Sequence, residues 1–333
     1  MKISKNALVY VEYPQLYQKK LLNALTTAGY SVISVVPDNS EKNLNRALKA
    51  LEYVEIAILG GVLPIQNLEH APNLKWIHFD WVGIEKILTR AMFEGGRIIT
   101  NGSGRNSICL AEHVFYFIFT LTYGTRDIFI SQHDHHWGVN QLNPYSCLFN
   151  KTILIIGTGS IGTEIALRAK SFGMKTVGYS RTLKEHNSAY DRQESKQAGV
   201  DLASLITQAD FIVLSVPLNT DTYHLIDASV FEKMKKTAYL INISRGAIVD
   251  EKALSEAVST RQIAGAGCDT FENEPLDKSS PLWDLPTMVI TPHSTPQSPL
   301  KFEQGIGVIT ENLKRLKNGE VLLNSQSCND VLN

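Results

Sequence analysis

Short apolar runs bounded by turn residues alternate with stretches of helical periodicity along most of this chain, and that alternation admits few folds. A strand joined through a helix to its neighbour runs parallel to it, so the pattern calls for βαβ units and an α/β architecture with helices covering the sheet. In the first hundred residues the strand candidates are 7–11, 31–36, 54–59 and 75–79, with a helix over 16–28 stopped by Gly29. A second series opens at Lys151 with 152–156 and continues with 176–179, 211–216, 238–243, 263–267 and 288–291. Six such strands fit a doubly wound parallel sheet, in which ligands bind at the carboxyl ends of the strands. Between the two series, residues 107–123 carry Ile108, Leu110, Ala111, Val114, Phe115, Phe117, Ile118, Phe119 and Leu121 and leave almost no polar face. A helix of that kind is buried in a core or against a partner subunit. Residues 305–318 read as one more helix.

The 333 residues suffice for about two domains. Lys and Arg number 32 against 33 Asp and Glu, a net charge of −1, so no field recruits nucleic acid or an anionic membrane. Apolar residues at 44% and charged ones at 20% indicate a folded protein. No apolar run approaches the roughly 18 residues of a membrane-spanning helix. The start, Met1-Lys2-Ile3-Ser4-Lys5-Asn6, passes straight into a strand pattern and leaves no room for a signal peptide. The cysteines at 109, 147, 268 and 328 show no C-x-x-C spacing and are expected as reduced thiols in a cytoplasmic protein. His133, His135 and His136 crowd one stretch, but their spacing does not place them on one helix face, so a polar helix end is expected there and no metal site.

Gly157-Thr158-Gly159-Ser160-Ile161-Gly162 fits G-x-G-x-x-G, directly follows the apolar run 152–156 and precedes a helical stretch over 165–172 closed by Gly173. That context turns a weak pattern into a dinucleotide-binding one. The first glycine permits the tight turn, the second lets the backbone approach a pyrophosphate and the third lets helix pack on strand. The helix N-terminus then faces the phosphates. Some 20 residues on, an acidic side chain would hold the ribose 2′-hydroxyl of NAD. Here the chain reads Val177-Gly178-Tyr179-Ser180-Arg181-Thr182, which removes the repulsion of a 2′-phosphate and supplies a cation for it. NADP is therefore expected over NAD; Glu185, curling back onto the ribose, would reverse that preference.

Three further segments each follow a strand. They deliver Arg245, Asp269 with Glu274, and His293. Arg245 could pair with a carboxylate and polarise the adjoining carbonyl, His293 could protonate the forming alkoxide, and Glu274 beside it would orient the ring. Asp269 orients backbone or a water near the nicotinamide, or caps a loop.

These segments resemble the D-isomer-specific 2-hydroxyacid dehydrogenases. The family's Asn-x-x-Arg-Gly-x-x-Val-Asp stands at 242–250, its Gly-x-Asp-x-Phe-x-x-Glu-Pro at 267–275 and its Thr-Pro-His at 291–293. Pro217-Leu218-Asn219-Thr220 is similar to its loop after the fourth strand, and Asn101, Gly104, Asn106, Glu112 and His113 occupy the places of its Asn-x-x-Gly-x-Asn and Ala-Glu-His pattern. The resemblance implies two Rossmann-like domains with a cleft between them: a substrate domain, 1–100 with 298–333, and a dinucleotide domain, 101–297. It implies that Arg245 binds the substrate carboxylate and carbonyl, that Glu274 pairs with His293, and that His293 is the acid–base group. Val82 and Gly83, in Trp81-Val82-Gly83-Ile84-Glu85, are implied to offer N–H groups to the substrate carboxylate. Val216, Pro217, Ile243 and Asp269 are placed beside the cofactor, and the helix over 107–123 in a homodimer interface.

The sequence departs from the family at Asn150, where glycine is usual, and at Ser294-Thr295-Pro296-Gln297-Ser298-Pro299, where small residues are commoner. The second departure adjoins His293 and bears on substrate shape. The chain ends soon after Asn324, which disfavours the longer phosphoglycerate dehydrogenases. The expected activity is NADPH-dependent reduction of a small 2-oxoacid such as glyoxylate or hydroxypyruvate to the D-2-hydroxyacid. The alternatives are a phosphoglycerate dehydrogenase-like enzyme using NAD and a dinucleotide-sensing binding protein.

Overall fold

The computed structural model describes residues 5–38, 40–84, 86–138, 147–182, 186–295 and 298–328. In chain order the elements are β1 (Lys5–Tyr10), α1 (Gln15–Thr27), β2 (Tyr30–Val35), α2 (Glu41–Leu51), β3 (Ile56–Leu59), α3 (Ile65–Glu69), β4 (Trp76–Phe79), β5 (Ile98–Asn101), α4 (Ser107–Thr122), α5 (Thr125–His133), β6 (Thr152–Ile156), α6 (Ser160–Ser171), β7 (Lys175–Ser180), β8 (Arg192–Ser195), α7 (Leu202–Ile206), β9 (Phe211–Leu214), α8 (Ala228–Phe231), β10 (Tyr239–Asn242), α9 (Glu251–Ser259), β11 (Gly265–Cys268), β12 (Met288–Ile290) and α10 (Leu300–Asn318). They fall into two compact units, Met1–Asn106 with Ser298–Asn333 (unit 1) and Ser107–Gln297 (unit 2). A division at 100/101 would cut the end of β5. The turn that follows stays with unit 1, because Gly102 N–H donates to Trp81 O (3.1 Å) and Arg105 pairs with Asp80.

Unit 1 holds a five-stranded parallel sheet in the order β2-β1-β3-β4-β5. Successive side chains of β1 point to opposite faces, and both faces are covered. Ala7 and Val9 pack with Leu21 and Leu25 of α1 and Ile306, Ile309 and Leu313 of α10; Leu8 and Tyr10 pack with Ala47 and Leu51 of α2. Three polar side chains in this core meet at one hydroxyl: Thr100 Oγ1 lies 2.8 Å from Trp76 Nε1 and 2.8 Å from His78 Nδ1. Burial, with the Arg105 charge nearby, pushes the His78 imidazole down to about 3, so the ring is neutral. The buried Asp80 pairs with the partly exposed Arg105.

Unit 2 holds a seven-stranded parallel sheet in the order β12-β11-β10-β9-β6-β7-β8. Counted from β6, this is the doubly wound order 3-2-1-4-5-6 with one strand added at the far edge. Seven strands stand where the sequence pattern gives six. The strand that the pattern misses, β8, reads Arg192-Gln193-Glu194-Ser195 at the sheet edge, where solvent on one side removes the need for an apolar run.

α4 lies against this sheet. Its Phe117 ring sits over Gly267 of β11, where a Cβ would come within 2.6 Å of the ring, so a side chain at 267 would displace the helix. Cys109, Ala111, Val114, Phe117 and Ile118 are buried, whereas Tyr116 is half exposed, as is Tyr123 just beyond the helix. The helix is thus a core element on one face and open on another. No single helix among the described residues is long and apolar enough to cross a membrane.

Candidate active site

The strand order of unit 2 reverses between β6 and β9, and the loops leaving these two strands meet there. Ser215 N–H donates to Ile156 O (2.8 Å), and Gly157 N–H to Tyr179 O (2.8 Å). Gly157 has φ 109°, and a Cβ on it would lie 2.4 Å from Ser215 O. Both the backbone angle and the close approach require glycine. At Gly162 a Cβ would lie 2.0 Å from Gly157 O, which is why the first turn of α6 can press onto the loop. Gly159, the N-cap of α6, faces open space, with nothing within 4 Å of where its Cβ would be.

In the same loop Thr158 Oγ1 is buried with no hydrogen-bond partner among the described residues. Ser160 is exposed and Ile161 half-buried on the first turn of α6. An open helix N-terminus, a close backbone turn and an unmet hydroxyl are what a dinucleotide's pyrophosphate fills, so the loop fits the group.

At the end of β7, Ser180 Oγ donates to Thr182 O (2.8 Å), while Arg181 and Thr182 are exposed. Glu185 lies outside the described residues. Val216 and Pro217 follow β9 and are partly exposed, and Ile243 is buried just after β10.

Strands β10, β11 and β12 are neighbours, so their carboxyl ends stand side by side. After β10 the chain is turned by its own asparagine: Ser244 N–H donates to Asn242 Oδ1 (3.0 Å) and Asn242 Nδ2 donates to Arg245 O (3.0 Å). Arg245 Nη1 donates to Ser244 O (2.8 Å). A Cβ on Gly246 would lie 1.8 Å from Phe271 C, so the arginine turn is pressed onto the Phe271–Glu272 backbone. The same backbone leads to Glu274, whose Oε1 accepts from Phe271 N–H (3.0 Å) and whose Oε2 lies 2.8 Å from His293 Nδ1. A carboxylate only accepts, so Nδ1 carries the proton and Nε2 is the nitrogen left to exchange one. His293 and Glu274 both reach solvent.

Asp269 is 1% exposed, and its carboxylate accepts from Thr291 Oγ1, Ser294 N–H and Thr295 Oγ1, all in the loop that carries His293. Its bonds are to that loop. The hydroxyls of Thr291 and Thr295 give no sequence signal of this role, because threonine is common in turns. The tight packing at Gly246 is equally silent, since a glycine beside an arginine reads only as a flexible turn.

The residues implied to hold the substrate carboxylate, Val82 and Gly83, belong to unit 1. They follow β4 in an exposed turn closed by Ile84 N–H to Val82 O (2.9 Å) and by Asn101 Nδ2 to Val82 O (3.2 Å). Glu85 lies outside the described residues. Arg105 and Lys301 line a unit 1 cavity of about 470 Å³ at the carboxyl ends of β1, β3 and β4, together with Asp80 and Glu12. Among the described residues no group of three or more His, Cys, Asp or Glu is arranged to hold a metal ion.

A family model described as the NAD binding domain of the D-isomer specific 2-hydroxyacid dehydrogenases matches residues 115–295. The chain belongs to that family. This dehydrogenase is 32% identical over 273 residues, 80% of each chain, to the glyoxylate reductase of Korarchaeum cryptofilum. It is also 32% identical over 265 residues to the D-3-phosphoglycerate dehydrogenase of Synechocystis, spanning 79% of this chain but 44% of that one. A solved 2-hydroxyacid dehydrogenase family protein from Aeromonas salmonicida superposes with a TM-score of 0.78 at 29% identity, covering 98% of this chain and 99% of that one. The enzyme is an oxidoreductase that acts on CH–OH donors with a nicotinamide dinucleotide.

Gly157→Ala tests the loop. The side chain must enter the space held by Ser215 O at a left-handed φ, at a cost of about 1–3 kcal/mol for the backbone strain alone. Calorimetric titration is expected to show loss of dinucleotide binding, with a lowered unfolding midpoint.

Proposed function

We propose that this dehydrogenase reduces a small 2-oxoacid, of the size of glyoxylate or hydroxypyruvate, to the D-2-hydroxyacid with NADPH. The observation that carries the reading is the 2.8 Å bond between Glu274 Oε2 and His293 Nδ1 beside the Arg245 turn. The bound nicotinamide supplies the hydride. Arg245 pairs with the substrate carboxylate and polarises the carbonyl next to it. His293, its ring fixed through Nδ1 by Glu274, gives a proton from Nε2 to the carbonyl oxygen as the C=O bond becomes C–OH, and takes it back in the reverse direction.

The preference for NADPH is supported by Ser180 and the exposed Arg181 at the end of β7, where a carboxylate would repel a 2′-phosphate. A phosphorylated substrate, as in phosphoglycerate dehydrogenases, is less well supported. The cations that line the unit 1 cavity share it with Asp80 and Glu12, and the Arg105 guanidinium is already committed to Asp80. We also read the enzyme as a homodimer, because Tyr116, Tyr123, Phe129 and Ile130 leave an apolar face open on α4, α5 and the turn between them. The free thiols Cys109, Cys147, Cys268 and Cys328 suit the reducing cytoplasm.

Consumption of NADPH by glyoxylate or hydroxypyruvate is the expected result with purified protein; silence with both acids while NADPH still binds would remove this substrate class. His293→Ala is expected to lower kcat by about a hundred- to ten-thousandfold with dinucleotide affinity unchanged, and retained turnover would remove the acid–base role. Arg181→Ala should reduce the NADPH-over-NADH ratio of kcat/KM by about tenfold or more, whereas an unchanged ratio would mean that the side chain does not meet the phosphate. Sedimentation equilibrium should give twice the chain mass, and a monomer at micromolar concentration would leave the apolar face without its second copy.

A further inference from the structure

We infer that Thr295 and His113 are positioning residues for His293, acting through the carboxylate of Asp269. The inference rests on reading His293 as the acid–base group. His293 has φ 48°, a left-handed conformation that a residue with a side chain keeps only when its surroundings over-determine it. Here both flanks of the residue are tied to one carboxylate. Before it, Thr291 Oγ1 donates to Asp269 Oδ1 at 2.5 Å; after it, Ser294 N–H donates to Oδ1 at 2.9 Å and Thr295 Oγ1 donates to Oδ2 at 2.9 Å. The histidine's own N–H donates to Asp269 O at 2.9 Å.

His113 completes the arrangement from α4. Its Nε2 lies 3.0 Å from Thr291 Oγ1 and 3.6 Å from Asp269 Oδ1. The Thr291 hydroxyl has one proton and gives it to Asp269, so it accepts from His113, and His113 Nε2 carries a hydrogen. His113 is 5% exposed and is held edge-on against Phe117, with ring centroids 4.6 Å apart, so the donor cannot swing away. Burial works against the charge on Asp269. The nearby His113 and the bonds from Thr291, Ser294 and Thr295 outweigh it and hold the carboxyl below its ordinary value, so the group that fixes the loop stays ionised.

Thr295 matters most in this set because, among the described residues, its hydroxyl is the one donor to Oδ2. Without its hydroxyl that oxygen loses its partner, and the segment after His293 loses its tie on that side. The left-handed turn then relaxes, and the ring leaves the line of Glu274.

Thr295→Val removes the hydroxyl at constant shape, and Thr295→Ser restores it. The valine variant is expected to lower kcat by about tenfold or more, with KM, NADPH affinity and unfolding midpoint near those of the parent and with a larger solvent deuterium isotope effect, because proton delivery becomes limiting. The serine variant should recover the rate and the isotope effect. His113→Leu should follow valine in direction. An unchanged kcat overturns the inference, as does a fall in kcat accompanied by equal losses of cofactor affinity and stability with no change in isotope effect.

A second measurement does not depend on turnover. Ring-nitrogen resonances of His293, assigned by difference against His293→Ala, should show one fixed tautomer protonated at Nδ1 in the parent and averaging between tautomers in Thr295→Val. Identical resonances in the two proteins overturn the positioning role even if no 2-oxoacid is reduced. Averaged resonances in a protein inactive toward every 2-oxoacid would uphold the positioning and dismiss the substrate reading.

Discussion

The parallel ladder of unit 2 is the constraint on which the site depends. Because β6, β9, β10, β11 and β12 all run the same way, every loop that leaves a carboxyl end emerges along one edge of the sheet. The glycine loop, Ser215, Arg245, Glu274 and His293 are therefore neighbours by topology before any side chain is chosen. What the side chains add is precision in the last few ångströms. Gly157 is pressed against Ser215 and Gly246 against Phe271, so two pairs of loops are locked together by contacts that tolerate no Cβ. An antiparallel arrangement would have sent alternate loops to the far edge and scattered the same residues.

Much of this was legible in the sequence. The strand of 152–156 ending in three spaced glycines announces its own role, because the tight turn, the close backbone approach and the helix start all demand particular residues. The pairing of Glu274 with His293 follows from their places in segments that resemble a known family, and the structure shows the bond at 2.8 Å. The strands least visible were those whose environment excuses them from the usual pattern. β8 is polar because it is an edge, and β5, Ile98–Asn101, is too short and ends in Thr100 and Asn101, whose polar groups are satisfied inside unit 1. α2 also went unread, although Ser40 caps its start by accepting from Asn43 N–H and Leu44, Ala47, Leu48 and Leu51 form an apolar stripe along it.

Asp269 marks the limit of motif reading. Its place in the family pattern points toward the cofactor, yet no pattern says that three donors from residues 291–295 converge on it, since that depends on how tightly the loop after β12 folds back. The same holds for Asp80. A lone aspartate after an apolar strand gives no hint that Arg105, 25 residues on, closes over it. Charges buried in this way are expensive singly and tolerable together, so the pair constrains how the turn after β5 must run.

Unit 1 is assembled from two stretches of chain separated by the whole of unit 2. α10 supplies Ile306, Ile309 and Leu313 to the face that also holds Ala7, Val9 and Leu21, and beyond it Leu323, Asn324 and Gln326 are hydrogen-bonded to Asn312, to Asn101 and Ser103, and to Ile99. On the ribosome, then, the strands of unit 1 wait while the whole of unit 2 is made. Unit 2 has all of its residues before α10 has been synthesised, and the part of the earlier sheet that α10 covers stays open until that helix follows.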